Sequence, residues 1–172
     1  MATSSSATAP DGAPSSYRIL ESFGEQADAI DALLGRAQVS VRVFDTDLAQ
    51  ARWSSAARAQ AVGDFLRRSR DARLQIIVHD TRHLESACAR LVALLRRYSA
   101  AITIYRTGHE ARNAADPLLI VDERHFLHRF HADQPRAALA IDEPALAKPL
   151  VQRFDEIWMT GEPGLAGDVL GL

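Results

Sequence analysis

The chain has 172 residues, of which 47% are hydrophobic and 24% are charged. This length and composition fit one globular domain with a proper hydrophobic core. The formal net charge of -2 excludes a strong overall field that would attract nucleic acids or anionic membranes. Cys88 is the single cysteine, which excludes an intramolecular disulfide bond and a zinc site built from cysteines.

The two ends of the chain differ in composition from its middle. Residues 1–16 are rich in Ala, Ser, Thr and Pro, and they are predicted to form a disordered tail. They lack the basic and apolar regions of a secretory signal, and no apolar run reaches the roughly 20 residues of a membrane helix. We therefore expect a cytoplasmic protein without a membrane partner. We expect its folded domain at 17–160 and a loose C-terminal tail at 161–172.

Between these ends, hydrophobic periodicity predicts strands that alternate with helices. Runs that alternate or are rich in β-branched residues predict strands at 17–23, 39–44, 74–79, 101–105, 118–121, 125–130 and 137–141. Apolar stripes at helical spacing predict helices at 25–36, 56–70 and 85–99, and one more that ends near Trp158. This order is typical of an α/β domain with a mixed sheet and helices on both faces.

The segment from Ala115 to Asp122 reads Ala-Asp-Pro-Leu-Leu-Ile-Val-Asp. In place, length and flanking pattern it resembles the signature strand of the phospholipase D-like superfamily, His-x-Lys-x-x-x-x-Asp. The order of elements from about Tyr17 to Trp158 resembles one repeat of that fold, as in the bacterial members that have a single repeat. The resemblance implies a phospholipase D-like mixed sheet flanked by helices on both faces.

The resemblance also implies a chemistry that this chain has lost. In that superfamily the His attacks phosphorus and forms a phosphohistidine, and the Lys holds the phosphoryl oxygens. Here Ala115 and Pro117 occupy those two positions, and residues 129–132 replace the Gly-Ser-x-Asn of active members with Arg-Phe-His-Ala. A phosphohistidine mechanism is therefore not expected. Asp122, which in the family orients a His, is either a relic of the site or a turn residue that closes a hairpin, and we favour the turn residue.

Polar side chains follow two neighbouring strands where each strand ends. Asp45 and Asp47 follow the strand at 39–44, and His79 and His83 follow the next one. Ligand sites in open α/β sheets gather at the carboxyl ends of the strands. These four side chains could therefore line one crevice and hold a divalent metal. The alternative is a set of helix caps and solvated loop residues.

Two further groups could bind anions. His109 and Arg112 lie in the polar loop before the signature strand, which would border the same crevice, although a solvated connection is the favoured alternative. Arginines cluster at 67–73 and 96–97 near the ends of predicted helices. We interpret those clusters as partners of the helix dipoles. A nucleic-acid surface is the less favoured alternative.

Three hypotheses for the function follow. The favoured one is a catalytically degenerate phospholipase D-like domain that binds a protein or a phosphate-containing ligand, without enzymatic activity and without a cofactor. Because small single-motif members of the superfamily pair to assemble their site, the resemblance implies a homodimer. The alternatives are a metal-assisted phosphoesterase that uses the Asp/His crevice and a nucleic-acid-binding module.

Overall fold

The structure is a computed structural model and describes residues 14–166. Eight strands are present: β1 Ser16–Leu20, β2 Ser40–Asp45, β3 Arg73–Val78, β4 Ile102–Arg106, β5 Leu118–Val121, β6 His125–Arg129, β7 Ala137–Ile141 and β8 Glu162–Leu165. Five helices are present: α1 Phe23–Arg36, α2 Ala56–Arg68, α3 Arg82–Ala87, α4 Ala89–Arg97 and α5 Pro144–Met159. A short 3₁₀ turn, His109–Ala111, precedes β5. Among the described residues, no helix is long and apolar enough to cross a membrane.

The strands form one mixed sheet in the order β1-β7-β6-β5-β2-β3-β4-β8. Strands β2, β3 and β4 run parallel, because α2 and the pair α3–α4 return the chain to the same end of the sheet. The remaining neighbours pair antiparallel. The predicted fold class, a mixed sheet with helices on both faces, is therefore confirmed.

Each face of the sheet has its own core. On one face, α1 to α4 bury apolar side chains such as Leu33, Phe65 and Leu91 against alternate residues of the strands. On the other face, α5 alone packs Phe154 and Ile157 over β5 and β6. Because side chains alternate across a strand, consecutive residues of a strand face different helices. This alternation decides which of the candidate residues can meet.

Helix starts follow local signals in the sequence. Ser22 caps α1, and its side chain exchanges hydrogen bonds with Glu25 in a capping box. Ser55 caps α2 by accepting a hydrogen bond from the N–H of Arg58 at 3.1 Å. Pro144 occupies the first turn of α5, where a missing N–H costs nothing. Pro149 lies inside the same helix.

The structure differs from the sequence predictions at three places. The helix predicted at 85–99 is two helices, because Cys88 leaves the helical conformation with ψ at 48°. The N-terminal tail was predicted to reach residue 16, but Ser16 already belongs to β1, and residues 1–13 lie outside the described part. The loose tail predicted at 161–172 contains β8, and residues 167–172 lie outside the described part.

Strand β8 forms because the edge of β4 has backbone groups that still need partners. It pairs with β4 antiparallel and with a register shift between Ile104 and Tyr105. Glycines permit the close approach, since a Cβ atom at Gly161 would overlap the ring of Tyr105 and one at Gly164 would lie 3.1 Å from the carbonyl oxygen of Ile104. A glycine-rich end that reads as a tail in the sequence therefore becomes an edge strand.

Candidate functional site

The segment from Ala115 to Asp122 contains β5, whose start lies beside the end of β2. Leu118 pairs with Phe44, so Pro117 reaches the carboxyl end of β2. Its carbonyl oxygen accepts a hydrogen bond from the N–H of Arg129 at 2.9 Å, and that of Ala115 accepts one from the N–H of Ala132 at 2.7 Å. The backbone at the two altered positions is therefore bound to the segment that replaces Gly-Ser-x-Asn.

The space beside Pro117 is almost completely filled. A cavity of about 20 Å³ remains there, and its polar lining consists of Gln26, Asp45 and Arg129, with Trp53 on the apolar side. A cavity needs at least about 10–15 Å³ to hold a water molecule, so this one has room for about one. Arg129 forms part of its wall: its side chain is buried, and its Nε donates to the Oε1 of Gln26 at 3.0 Å. This crevice cannot admit a phosphodiester as it stands.

Two opposite charges share this buried site. Burial raises the pKa of Asp45, and the nearby guanidinium of Arg129 and the N–H of Thr46, at 2.6 Å, offset that rise only in part. Burial also lowers the pKa of Arg129, and the charges of Asp45 and Asp47 oppose this. The two groups therefore stabilise each other electrostatically inside the protein. This pairing is typical of a closed structural site.

Asp122 lies at the other end of β5, far from Ala115. It closes the β5–β6 turn with φ at 52°, a conformation that Asp tolerates better than most residues. Its carboxylate accepts hydrogen bonds from the backbone N–H groups of Gln38, Val39 and Ser40 at 2.9, 2.8 and 2.9 Å. Asp122 therefore joins the hairpin to the start of β2, and it orients no histidine.

The predicted metal crevice is not assembled in the structure. His79 uses both ring nitrogens, with Nε2 at 2.7 Å from the carbonyl oxygen of Ala114 and Nδ1 at 2.6 Å from the hydroxyl of Thr107. The nitrogen that faces a carbonyl must carry the proton, and the other nitrogen accepts from Thr107, so neither lone pair is free for a metal. Asp47 instead accepts a hydrogen bond from the N–H of Ala49 at 2.9 Å.

The other predicted ligands do not change this result. His83 sits half-buried in the short helix α3, and its partner in the prediction, Asp45, is buried beside Arg129. Within residues 14–166, no three His, Cys, Asp or Glu side chains stand close enough to hold a metal ion. The ends of β2 and β3 do lie side by side, as predicted. However, hydrogen bonds in the surrounding loops engage Asp47 and His79, so the predicted ligands do not converge.

The loop with His109 and Arg112 borders a groove of about 390 Å³ under α5. Both side chains are exposed, and neither lines the groove. Its charged lining consists of Glu110, Glu156 and Arg153, so acidic groups outnumber basic ones. This groove does not suit an anionic ligand.

The sequence interpretation missed one polar cluster, which joins β6 to α5. Asp116 accepts hydrogen bonds from Nε2 of His128 at 2.9 Å and from Nε of Arg153 at 2.7 Å, and a second nitrogen of Arg153 bonds its other oxygen. Burial acts to raise the pKa of Asp116, but the hydrogen bonds and charges of His128 and Arg153 hold it at about 2. Any residue is allowed at position 116 of the signature, so the motif itself gave no sign of this cluster. The only available signal was strand alternation, which puts position 116 on the α5 side of the sheet.

The fold matches those of several solved structures at low sequence identity. Nuc from Salmonella typhimurium, a phospholipase D family member, is 14% identical over 89% of this chain and all of that chain, with a TM-score of 0.65. NucT from Helicobacter pylori is 14% identical over 88% of this chain and all of that chain, with a TM-score of 0.59. TrmBL2, an archaeal chromatin protein, is 12% identical over 86% of this chain, with a TM-score of 0.63.

At these identities the matches establish the fold alone, and they confirm that it is phospholipase D-like. The chain spans about half of TrmBL2, 54% of that chain. No curated protein matches the sequence significantly. The family model described as a domain of unknown function (DUF7931) matches residues 23–165.

Proposed function

The chain belongs to the DUF7931 family and has a phospholipase D-like fold, and we propose that it acts as a non-catalytic binding module. The observation that carries the proposal is the filled crevice at the old catalytic position. Arg129 and Gln26 occupy it, and Ala115 and Pro117 stand where the nucleophile and the cationic clamp would be. A site without nucleophile, clamp or space cannot support the covalent mechanism of the superfamily.

Several elements of the fold contribute to the closure of this crevice. The crevice is closed by a side chain from α1 and another from β6, and backbone hydrogen bonds hold Ala115 and Pro117 against the residues after β6. Arg129 also balances the buried charge of Asp45. These contacts stabilise the closed site, so we infer that the fold has been kept for binding and no longer for hydrolysis. Its ligand is a protein or a phosphate-containing molecule.

We also propose that the protein is a homodimer with its twofold contact near β5 and β6. Phe130, which follows β6 at the edge with the signature segment, is 45% exposed. An exposed aromatic ring at this position suits an interface between two copies. Static light scattering at micromolar concentration tests the proposal, because a monomeric mass would contradict it.

The test of the proposed function is hydrolysis of bis-p-nitrophenyl phosphate by the pure chain, with and without EDTA. No turnover in either condition is the expected result. Turnover that resists EDTA would overturn the proposal, since it requires a nucleophile that the closed crevice does not offer. Turnover that EDTA abolishes, and that a His79→Ala/His83→Ala variant lacks, would assign the metal-assisted alternative instead.

A further inference from the structure

The net charge of -2 conceals an uneven distribution of charge along the chain. The segment 56–106, which contains α2, α3 and α4, includes ten of the twenty basic residues but only four of the twenty-two acidic ones. The rest of the chain is correspondingly acidic. Helices α2 and α4 pack side by side on one face of the sheet, and three of these basic residues, Arg67, Arg90 and Arg97, lie together along their contact.

A groove of about 410 Å³ runs between α2 and α4 on this surface. Small side chains form much of its lining, and three arginines supply its charge. The lining residues that the argument uses are Ala59, Gly63, Ala93, Arg67, Arg90 and Arg97. Arg90 and Arg97 are two helical turns apart, about 10 Å along α4. The small residues keep the groove open, and the arginines place cations along its length.

Two of the three groove arginines are free to bind a ligand. Arg90 and Arg97 are exposed, and among residues 14–166 their side chains have no hydrogen-bonding or ion-pair partner, whereas Arg67 pairs with Asp64. Arg97 lies over the ring of Tyr98, with 5.5 Å between its Cζ and the ring centroid. The guanidinium groups of Arg90 and Arg97 are therefore accessible to a ligand.

Helix dipoles explain only part of this pattern. Cations stabilise the last turn of a helix, which accounts for Arg96 and Arg97 at the end of α4. Arg90 lies in the first turn of α4, where a cation is unfavourable, and that turn contains no acidic residue. A basic residue that opposes the dipole and has no partner in the described structure indicates a binding role.

We propose that the α2–α4 groove binds the sugar-phosphate backbone of double-stranded DNA. This inference rests on the proposed function, because it identifies the ligand of the binding module. Guanidinium groups match phosphate oxygens in two-pronged hydrogen bonds. The groove has no aromatic lining for stacking unpaired bases, which favours a duplex over a single strand. Contacts to phosphates alone make the binding independent of sequence.

The groove is distinct from the old catalytic edge. The groove is lined along the length of α2 and α4, from Ala56 to Arg67 and from Arg90 to Arg97. The cavity beside Pro117 and Asp45 shares none of these lining residues. The proposed DNA surface therefore uses the outside of the helices and leaves the closed crevice untouched.

The test is fluorescence anisotropy of a short labelled DNA duplex with the full chain, from about 50 to 200 mM salt. In an Arg90→Gln/Arg97→Gln variant we expect the Kd to rise about tenfold or more, and the slope of log K against log salt to fall by about two. The matched control is Arg18→Gln/Arg136→Gln, which removes the same charge from exposed positions at the β1–β7 edge. The control is expected to bind like the unaltered chain.

Three results would overturn the inference. The first is that the unaltered chain does not bind the duplex at about 50 mM salt. The second is an equal loss of affinity in both variants. The third is that poly-glutamate competes as strongly as unlabelled duplex, which would assign the groove to acidic proteins. Hydrolysis of bis-p-nitrophenyl phosphate is measured on the same samples. Turnover would count against the proposed function, whereas an unchanged affinity of the groove variant would count against the DNA surface alone.

Discussion

Arg129 donates a hydrogen bond from its Nε to Oε1 of Gln26 at 3.0 Å, and both side chains are buried. This contact links β6 to α1 at the small cavity that Asp45 and Pro117 also line. It also holds a positive charge beside the buried Asp45. The closed crevice is therefore part of the protein's core, which leads to the first prediction.

Replacing Arg129 by Met should lower the free energy of unfolding by about 3–5 kcal/mol, because Asp45 loses its countercharge inside the protein. The pKa of Asp45 is raised in the folded state. The folded protein therefore loses stability as the pH rises through that pKa and Asp45 becomes ionised. The loss should accordingly shrink in acid, where Asp45 is protonated. Urea denaturation at several pH values measures it. Arg136→Met, at an exposed position, is the control, and an equal effect of both variants would refute the prediction.

Replacing Asp122 by Ala should lower the free energy of unfolding by about 2–4 kcal/mol, because three backbone N–H groups lose a charged acceptor. Ala also fits the positive φ of this position poorly. Glu123→Ala is the matched control, since Glu123 lies in the same turn with φ at 56° and pairs only with Arg42. If thermal or urea unfolding shows no difference between the two variants, Asp122 is a relic without a structural role.

Replacing Asp116 by Asn should change the dependence of stability on pH. In the folded protein the pKa of Asp116 is about 2, below that of an ordinary Asp. Ionised Asp116 therefore stabilises the fold at pH values above the pKa of the unfolded chain, and this stabilisation is lost as the pH falls towards 2. The variant should be less stable by about 2 kcal/mol at neutral pH and equal to the original chain near pH 2. Parallel curves for the variant and the original chain would contradict this expectation. Asp133→Asn, at an exposed carboxylate, serves as the control.

Replacing Phe130 by Asp should convert the proposed dimer to a monomer, because it places a charge in the apolar contact near the old catalytic edge. Met159→Asp is the control, since Met159 is 85% exposed on α5 and lies outside β5 and β6. Sedimentation velocity measures both masses. A dimer that survives Phe130→Asp but dissociates with Met159→Asp would move the interface to α5.

Much of this architecture was predictable because it depends on near neighbours in the sequence. Apolar spacing indicated the alternating strands and helices, although the strand predicted at 17–23 ends at Leu20, because Ser22 and Glu25 form the capping box that starts α1. The signature segment at β5 was recognisable by its length and position, and the absence of His and Lys was readable directly. These features predicted both the fold and the loss of its chemistry.

Other features depend on partners far apart in the chain. Asp122 bonds N–H groups more than eighty residues away, and Arg129 reaches Gln26 across 103 positions. The predicted metal crevice was not assembled, because contacts such as that of His79 with Thr107 use the lone pairs that a metal would need. Local sequence patterns contain no information about such pairings, since strand register and helix packing decide which side chains meet.

The amino-acid sequence by itself therefore determined the α/β fold and the order of most of its elements, and it predicted that nucleophile and clamp are absent at Ala115 and Pro117. The tertiary structure alone decided that Arg129 closes the crevice, that β8 completes the sheet, and that the arginines of α2 and α4 share one groove. The physical reason is that backbone propensity and periodicity act over a few residues. Burial, countercharges and shared surfaces arise only when distant segments pack together.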